Sequence, residues 1–248
     1  MIQLEAVRKS FGSQIVLDGV DLEIATGETV AVLGRSGSGK SVLLKQVARL
    51  LRPDGGVVRV GDVEMSGADK STVMRVRSSM GYVFQFAALF DSLTIGENIA
   101  LPLRRAGISA EESRTRVIDV LETVGLPDQS DRYPAELSGG MRKRAGIARA
   151  VVARPSYLLY DEPTTGLDPV TTAVIDGLML EMKRDLQATS ILVTHDIQSA
   201  FRVADRLALL HGGRVRFEGT PDETRSSDDP LVRAFVEGRQ ELWPPDSV

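Results

Sequence analysis

The alternation of hydrophobic and polar residues predicts short strands at the start of the chain. Apolar residues recur at every second position in residues 2–8, and similar short stretches follow at 15–17 and 20–24, before a turn at 26–28. A period of two is typical of strands with one buried face. We therefore predict an N-terminal group of antiparallel strands.

The pattern changes at residues 29–33, Thr-Val-Ala-Val-Leu, where a continuous apolar run predicts a strand buried on both faces. A glycine-rich loop and a helical pattern at 41–51 follow it. Beyond this point strands are predicted at residues 157–160, 190–194, 207–210 and 215–218, and helices separate them. This rhythm is typical of a mostly parallel sheet.

Residues 95–155 have mainly helical patterning, with charged residues interleaved among apolar ones. The prediction is an α/β fold with a mostly parallel core sheet, an N-terminal antiparallel β subdomain and an inserted helical subdomain. We assign residues 1–237 to a single domain and 238–248 to a tail. The hypothesis for Trp243, Pro244 and Pro245 of the tail is that they pack on a partner subunit.

Composition narrows the choice of partner. The 248 residues include 30 basic and 34 acidic side chains, a net charge of -4 that argues against a general nucleic-acid surface. The absence of cysteine excludes disulfides, thiolate metal ligands and cysteine nucleophiles. The chain opens without a leader-like segment and has no apolar run of about 18 residues, so we expect a soluble chain whose membrane role is peripheral.

Residues 34–41, Gly-Arg-Ser-Gly-Ser-Gly-Lys-Ser, match the phosphate-binding pattern of glycine, four residues, glycine, lysine and serine. Glycine backbones let N–H groups converge on phosphate oxygens, and a helix start adds partial positive charge. Lys40 would contact the β- and γ-phosphates, and Ser41 would bind magnesium. The alternative is a glycine-rich turn with a chance lysine, which the flanking strand and helix disfavour.

Two adjacent carboxylates, Asp161 and Glu162, end the predicted strand at 157–160. Ligands bind at the carboxyl ends of parallel strands, so we expect both beside the phosphate loop. Asp161 suits magnesium, through water. Glu162, on the opposite side of the extended chain, could act as general base on a water in line with the γ-phosphate. The same residues are also compatible with a solvated strand end or a helix cap.

His195 follows the predicted strand at 190–194, at the same edge of the sheet. A lone histidine is usually structural, but this position favours contact with the γ-phosphate and with the attacking water. His211, beside Gly212 and Gly213 in a predicted turn, is interpreted as structural.

A second anion-binding segment is predicted at residues 137–141, Leu-Ser-Gly-Gly-Met, at the start of a helix with several basic residues. Ser138, Gly139 and Gly140 can present a hydroxyl and backbone N–H groups to an anion. Two phosphate cradles are unexpected for one nucleotide site in a monomer. They are explained if two copies face each other and each lends these residues to the nucleotide of the other.

Together the motifs resemble those of ATP-binding cassette (ABC) ATPases, in family order, over residues 2–225. The resemblance implies a homodimer with ATP and Mg²⁺ as cofactors. It implies that Gln85 senses magnesium and the attacking water, and that Phe11, where the family more often has tyrosine, stacks on adenine beside Val16. The implied residues are, for catalysis, Glu162, His195 and Gln85; for the nucleotide, Phe11, Val16, Gly34, Arg35, Ser36, Gly37, Ser38, Gly39, Lys40, Ser41 and Val42; for the metal, Ser41, Gln85 and Asp161; and from the second subunit, Ser138, Gly139, Gly140 and Asp168.

The second cradle has Met141 where the family most often has glutamine. Residues 137–144, with 84–94 and 229–235, are similar to cassettes of Mla-type lipid transporters, which work with MCE-domain proteins. That resemblance implies phospholipid cargo, integral membrane permease subunits that contact residues 86–98, an MCE-domain lipid-binding partner and no nucleic acid. It also implies a peripheral location on the cytoplasmic face of the inner membrane.

Other readings remain open. The chain could serve another importer or a lipoprotein-release system, or it could be a non-transport cassette or a regulatory ATP-binding module. A DNA-repair cassette needs a long coiled-coil insertion and a translation cassette needs two cassettes in one chain, and this sequence contains neither. A regulatory module would lack the base, whereas Glu162 is present.

Overall fold

The computed structural model describes residues 1–239. The tail residues Trp243, Pro244 and Pro245 lie outside this part. The strands are β1 (Ile2–Phe11), β2 (Gln14–Ile24), β3 (Thr29–Leu33), β4 (Gly55–Val60), β5 (Val63–Glu64), β6 (Met80–Val83), β7 (Tyr157–Asp161), β8 (Thr189–Thr194), β9 (Arg206–His211) and β10 (Arg214–Gly219). The helices are α1 (Lys40–Val47), α2 (Lys70–Ser78), α3 (Ile95–Arg105), α4 (Ala110–Thr123), α5 (Gly139–Val151), α6 (Pro169–Leu186), α7 (Ile197–Val203), α8 (Pro221–Arg225) and α9 (Pro230–Val236).

These elements form two compact units. The first contains residues 1–76 and the chain from Thr189 onward, and the second contains residues 77–188. Each unit has its own strands and helices, and the boundary between them falls inside α2.

The first unit contains the predicted antiparallel sheet, with strand order β2-β1-β4-β5. Its second strand is longer than predicted, because residues 15–17 and 20–24 both belong to β2. Gly19 has a φ of 79° and Ala6 on the paired strand has a φ of 46°. Asp21 stabilises this irregularity, since its Oδ1 accepts a hydrogen bond of 2.7 Å from the N–H of Ala6. A glycine inside a strand here marks a bulge and not a turn.

A second sheet in the first unit has parallel strands at its centre. β3 pairs in parallel with β8 and with β9, and β10 adds to β9 in the antiparallel direction. Every residue of β3 and β8 is buried, as the apolar runs predict. The helix after β3 is shorter than predicted, because Arg49 takes a φ of 56° and donates from Nε to the carbonyl oxygen of Met65.

The second unit contains the parallel pair β6 and β7 together with α3, α4, α5 and α6. α3 begins with a capping box in which Thr94 and Glu97 bond each other's backbone N–H groups. α3 packs against both α4 and α5. The fold class is therefore the α/β arrangement that the sequence predicts, with mixed parallel and antiparallel strands.

Gly81 gives a test of how closely β6 and α5 approach. A Cβ at Gly81 would lie 2.3 Å from the carbonyl oxygen of Ala150 and 2.8 Å from Cδ2 of Leu158. We expect Gly81→Ala to lower the free energy of unfolding by about 1–3 kcal/mol, because the backbone at Ala150 would have to move away from the added methyl group. Gly177, exposed on α6, has open space around it, so Gly177→Ala should stabilise by about 0.5–1 kcal/mol. Urea titrations measure the free energy of unfolding of both variants. Equal changes in the two variants would contradict the close approach of β6 and α5 at Gly81.

Candidate functional site

The phosphate-loop motif connects β3 to α1 in the first unit. Gly34 has a φ of 155°, and a Cβ there would lie 2.6 Å from the carbonyl oxygen of Leu210 and 2.7 Å from Oγ of Ser38. Gly39, the residue before α1, has a φ of 99°. A side chain at Gly34 would force the loop to move, so its tight path depends on glycine.

Lys40 is 5% exposed, and its ammonium bonds the loop itself. Nζ donates to the carbonyl oxygens of Gly34 at 2.7 Å and of Arg35 at 3.0 Å. The hydroxyl oxygen of Ser38 is buried and has no hydrogen-bond partner within residues 1–239. A buried cation, an unpaired hydroxyl and a helix N-terminus in one loop fit a phosphate group, because they supply charge and donors together.

Val16 lies against this loop, as predicted for a residue lining the nucleotide pocket. A Cβ at Gly39 would be 3.0 Å from both Cγ1 and the carbonyl oxygen of Val16. Phe11 ends β1 with 48% of its surface exposed, and the ammonium of Lys9 lies 5.4 Å from the centre of its ring. Stacking on a base requires such an accessible aromatic face.

His195 directly follows β8, at the same end of the sheet as the phosphate loop. β3 and β8 pair in parallel with Leu33 opposite Thr194, so the next residues, Gly34 and His195, follow adjacent strand ends. His195 is exposed, and Asp196 caps α7 behind it. The remaining loop residues are exposed at Arg35, Ser36 and Gly37 and half-buried at Ser41 and Val42.

Asp161 is the last residue of β7 and is buried. Tyr82, on the neighbouring strand β6, donates a hydrogen bond of 3.0 Å from its hydroxyl to Oδ2 of Asp161. Burial, and after it the charge of Asp161, raises the pKa of Tyr82, so the phenol stays protonated and remains a donor. Tyr82 is missing from the sequence prediction, because its partner becomes known only when β6 and β7 are paired.

Glu162 is buried and has a φ of 49°, so it does not continue the extended strand as predicted. Its carbonyl oxygen accepts hydrogen bonds from the N–H of Thr165 at 3.3 Å and from Nζ of Lys143 at 3.4 Å. Oγ1 of Thr165 donates to Oε2 of Glu162 at 3.0 Å. The two bonds to the carbonyl oxygen support a left-handed backbone, which costs about 1–3 kcal/mol, and the bond from Oγ1 of Thr165 restricts where the carboxylate lies.

Lys143 is a second residue that the sequence prediction does not include at this site. Burial lowers its pKa, and the charge of Glu162 opposes that change. Basic residues that follow one another along a helix are usually solvated. In the structure the side chain is half-buried over the turn that begins at Glu162.

Gln85 comes two residues after β6, just as Glu162 comes two residues after Tyr160 on β7. Val83 lies opposite Tyr160 in the parallel pair, so Gln85 and Glu162 follow the same end of it. Gln85 is half-buried in a turn closed by a hydrogen bond of 3.0 Å from the N–H of Ala87 to the carbonyl oxygen of Phe84.

The four residues predicted to act on a second subunit's nucleotide belong to one region of the second unit. Ser138 caps α5, and its Oγ accepts from the N–H of Met141 at 3.3 Å. A Cβ at Gly140 would lie 2.8 Å from Cγ2 of Thr171, in the first turn of α6. Asp168 caps that helix and accepts from Oγ1 of Thr171 at 2.5 Å. Thr171 therefore links Gly140 to Asp168, and Ser138, Gly139 and Asp168 are all exposed.

Residues 1–239 contain no cluster of three or more histidine or acidic side chains that could hold a metal ion by themselves. This is compatible with magnesium held by one hydroxyl, one carboxylate and phosphate oxygens, because Mg²⁺ keeps several waters and few protein ligands. In the same described part, no helix is both long enough and apolar enough to cross a membrane.

Several known proteins are similar to this chain. A family model described as ABC transporter matches residues 17–165. Methionine import ATP-binding protein MetN of Rhodopseudomonas palustris (strain BisA53) is 44% identical over 93% of this chain and 62% of its own length. Probable ribonucleotide transport ATP-binding protein mkl of Mycobacterium leprae (strain TN) is 39% identical over 96% of this chain and 69% of its own.

A solved structure is also similar to this chain. The ATP-binding cassette MJ0796, in a dimeric post-hydrolysis state bound to ADP and Pi, superposes with a TM-score of 0.82 at 34% identity. The match covers 89% of this chain and 99% of that chain.

A phosphate loop after a buried strand, with carboxylates at the ends of parallel strands, defines a nucleotide-hydrolysing α/β protein. The chain belongs to the ABC transporter family and contains the ATP-binding cassette domain of that family, which hydrolyses ATP with Mg²⁺. The chain spans less than two thirds of the length of the Rhodopseudomonas relative. The names of the relatives given above refer to methionine import and ribonucleotide transport, so they do not support the Mla-type assignment over other transport systems.

Proposed function

We propose that this chain is the ATPase subunit of a bacterial importer for an amino acid such as methionine. The names of its MetN relatives support this cargo, at 44% identity in one of them. In this proposal two copies bind integral membrane permease subunits at the cytoplasmic face of the inner membrane. The cargo passes through the permease and does not contact this chain.

The observation that carries the proposal of an ATPase acting as a pair of copies is the exposed second anion cradle on α5. Ser138 and Gly139 are exposed at a helix start, and Thr171 connects this cradle to the exposed carboxylate of Asp168. Backbone N–H groups at a helix start favour an anion, and these groups remain accessible to a second copy of the chain. A dimeric cassette of similar fold supports such pairing.

The phosphate loop is proposed to hold the nucleotide. Lys40 would neutralise phosphate oxygens, and Ser41 and Asp161 are the residues proposed to hold Mg²⁺, which would supply further positive charge for the phosphates. Tyr82 would keep Asp161 oriented, because its hydroxyl donates a hydrogen bond to Oδ2 of that carboxylate. Phe11 would stack on the base.

Glu162 is proposed as the general base for the attacking water, with Gln85 and His195 positioning that water. Thr165 and Lys143 hold the Glu162 turn in its left-handed conformation. A carboxylate can accept the proton of water only if one of its lone pairs points at that water, and the hydrogen bond from Thr165 to Oε2 restricts the orientation of this carboxylate. Hydrolysis and product release would then separate the two copies and change the shape of the permease.

A second candidate cargo is phospholipid, moved with an MCE-domain partner. The observation in its favour is the run at residues 137–144, Leu-Ser-Gly-Gly-Met-Arg-Lys-Arg, which is similar to Mla-type cassettes. In the structure Lys143 of this run reaches the Glu162 turn and Arg144 bonds the backbone of Val124 and Gly125. The run therefore has structural contacts of its own, which weakens it as evidence for the cargo.

The cargo is tested by isolating the chain from native membranes with its bound partners and reconstituting the complex in liposomes. We expect ATP-dependent accumulation of radiolabelled methionine or a related amino acid, and no accumulation when Glu162→Gln replaces the chain. Co-purification of an MCE-domain protein, with ATP-dependent transfer of fluorescent phospholipid and no amino-acid uptake, would reject the importer proposal in favour of the second candidate.

A further inference from the structure

The side chain of Arg149, on α5, joins the helix of the second anion cradle to the turn that contains Gln85. Nη1 donates to the carbonyl oxygen of Ala88 and Nη2 donates to that of Ala87, both at 2.7 Å. Burial lowers the pKa of this guanidinium from its ordinary value. Arg149 is half-buried, and its guanidinium makes two short charge-assisted bonds to neutral carbonyl oxygens, which restrain this backbone.

The backbone that Arg149 bonds is strained. Ala87 and Ala88 have φ values of 59° and 49°, a left-handed conformation that alanine rarely adopts. Two consecutive residues of this kind persist only where the surroundings hold them. α5 also approaches closely here, since a Cβ at Gly146 would lie 3.1 Å from Cβ of Ala87.

The other end of the same loop is held independently. Asn98, which is fully buried in α3, accepts from the N–H of Phe90 at 2.7 Å and donates to the carbonyl oxygens of Phe90, Leu93 and Thr94. Phe86, which lies before both anchors, is 85% exposed. The side chain of Arg149 therefore bonds the backbone two and three residues after Gln85.

We propose that Arg149 is a positioning residue for hydrolysis, because its guanidinium holds the turn from Phe84 to Ala87 and thereby the direction of Gln85. The inference rests on the proposed role of Gln85 toward magnesium and the attacking water. Arg149 contacts the backbone two and three residues beyond Gln85, so it acts through that residue and not on the nucleotide. A shift of about 1 Å in a positioning group can reduce turnover by up to about 100-fold.

Arg144 provides a matched control on the same helix. Its Nη1 donates to two consecutive carbonyl oxygens, those of Val124 at 3.0 Å and Gly125 at 2.6 Å, in a loop without predicted site residues. Arg149→Met and Arg144→Met each remove one half-buried guanidinium group that bonds two carbonyl oxygens. A merely structural role predicts similar effects of the two changes.

The experiment measures steady-state ATP hydrolysis by the purified full chain as a function of ATP and of Mg²⁺. For Arg149→Met we expect kcat to fall by about tenfold with KM for ATP within about twofold, and the half-saturating Mg²⁺ concentration to rise by at least about threefold. Arg144→Met should keep kcat and the Mg²⁺ requirement within about twofold. Arg149→Lys, which can bond one carbonyl, should recover part of the loss and also serves if Arg149→Met does not fold.

A double-mutant cycle separates this inference from the proposed function. If Arg149 acts through Gln85, adding Arg149→Met to Gln85→Ala should lower kcat by no more than about twofold further. A full tenfold further loss, or an equal loss in Arg144→Met, would overturn the inference while leaving the role of Gln85 intact. Wild-type turnover in Gln85→Ala would overturn both, whereas Glu162→Gln tests the general base independently of either.

Discussion

Glu162→Gln is expected to bind MgATP with near wild-type affinity and to lose at least about 100-fold in kcat, because the amide cannot accept the proton of the attacking water. The change is nearly isosteric, and the side-chain oxygen of glutamine can still accept the hydrogen bond from Thr165. Without hydrolysis the nucleotide stays bound, so a dimer should accumulate. Phosphate release and size-exclusion chromatography in the presence of ATP measure the two effects.

The matched control for this change is Glu181→Gln, at an exposed position of α6. It removes the same charge from the same unit and should leave kcat within about twofold. Steady-state hydrolysis by Glu162→Gln at the wild-type rate would exclude Glu162 as the general base. Loss of ATP binding in that variant would instead show that Glu162 contributes to nucleotide binding.

Lys40→Ala is expected to weaken nucleotide binding by about 10- to 100-fold. Removal of the ammonium deletes a charge-assisted contact to phosphate of about 1.5–3 kcal/mol, since charged hydrogen bonds have this magnitude. It also removes the bonds that Nζ donates to Gly34 and Arg35, so the loop itself loses support. Titration with a fluorescent ATP analogue gives the dissociation constant.

Lys45→Ala, on the same helix α1, is the control for the loss of a lysine near the loop. It should keep the dissociation constant within about twofold, and thermal melts of both variants test whether α1 remains folded. Unchanged affinity for nucleotide in a folded Lys40→Ala variant would show that Lys40 does not contribute to phosphate binding.

Several features of the fold could be predicted from the spacing of apolar residues along the sequence. The apolar runs at β3 and β8 predict strands buried on both faces, and every residue of both is buried. The two stretches at 15–17 and 20–24 were predicted separately, whereas both belong to β2, because a glycine between apolar residues can end a strand or form a bulge within it. The pairing with β1 decides for the bulge, since Val7 and Arg8 lie opposite Val20 and Asp18 and leave Gly19 between them.

Carboxylates at strand ends were also predictable, but their geometry was not. The left-handed backbone of Glu162 depends on Thr165 and on Lys143, which is 19 residues away in the chain. Tyr82 and Asp161 are 79 residues apart, and no local pattern joins them. Such contacts are set by strand pairing and helix packing, which sequence periodicity does not specify.

By itself the sequence determined the phosphate loop, because glycine backbones and a lysine at fixed spacing are a local requirement for binding phosphate. It also predicts the second cradle, since a serine and two glycines at a helix start are an equally local pattern, and Ser138 does cap α5. Only the tertiary structure decided which side chains hold these parts in place, such as Arg149 on the backbone of Ala87 and Ala88. The reason is physical: local conformation follows from neighbouring residues, whereas the groups that orient a catalytic side chain come from distant segments that meet only after folding.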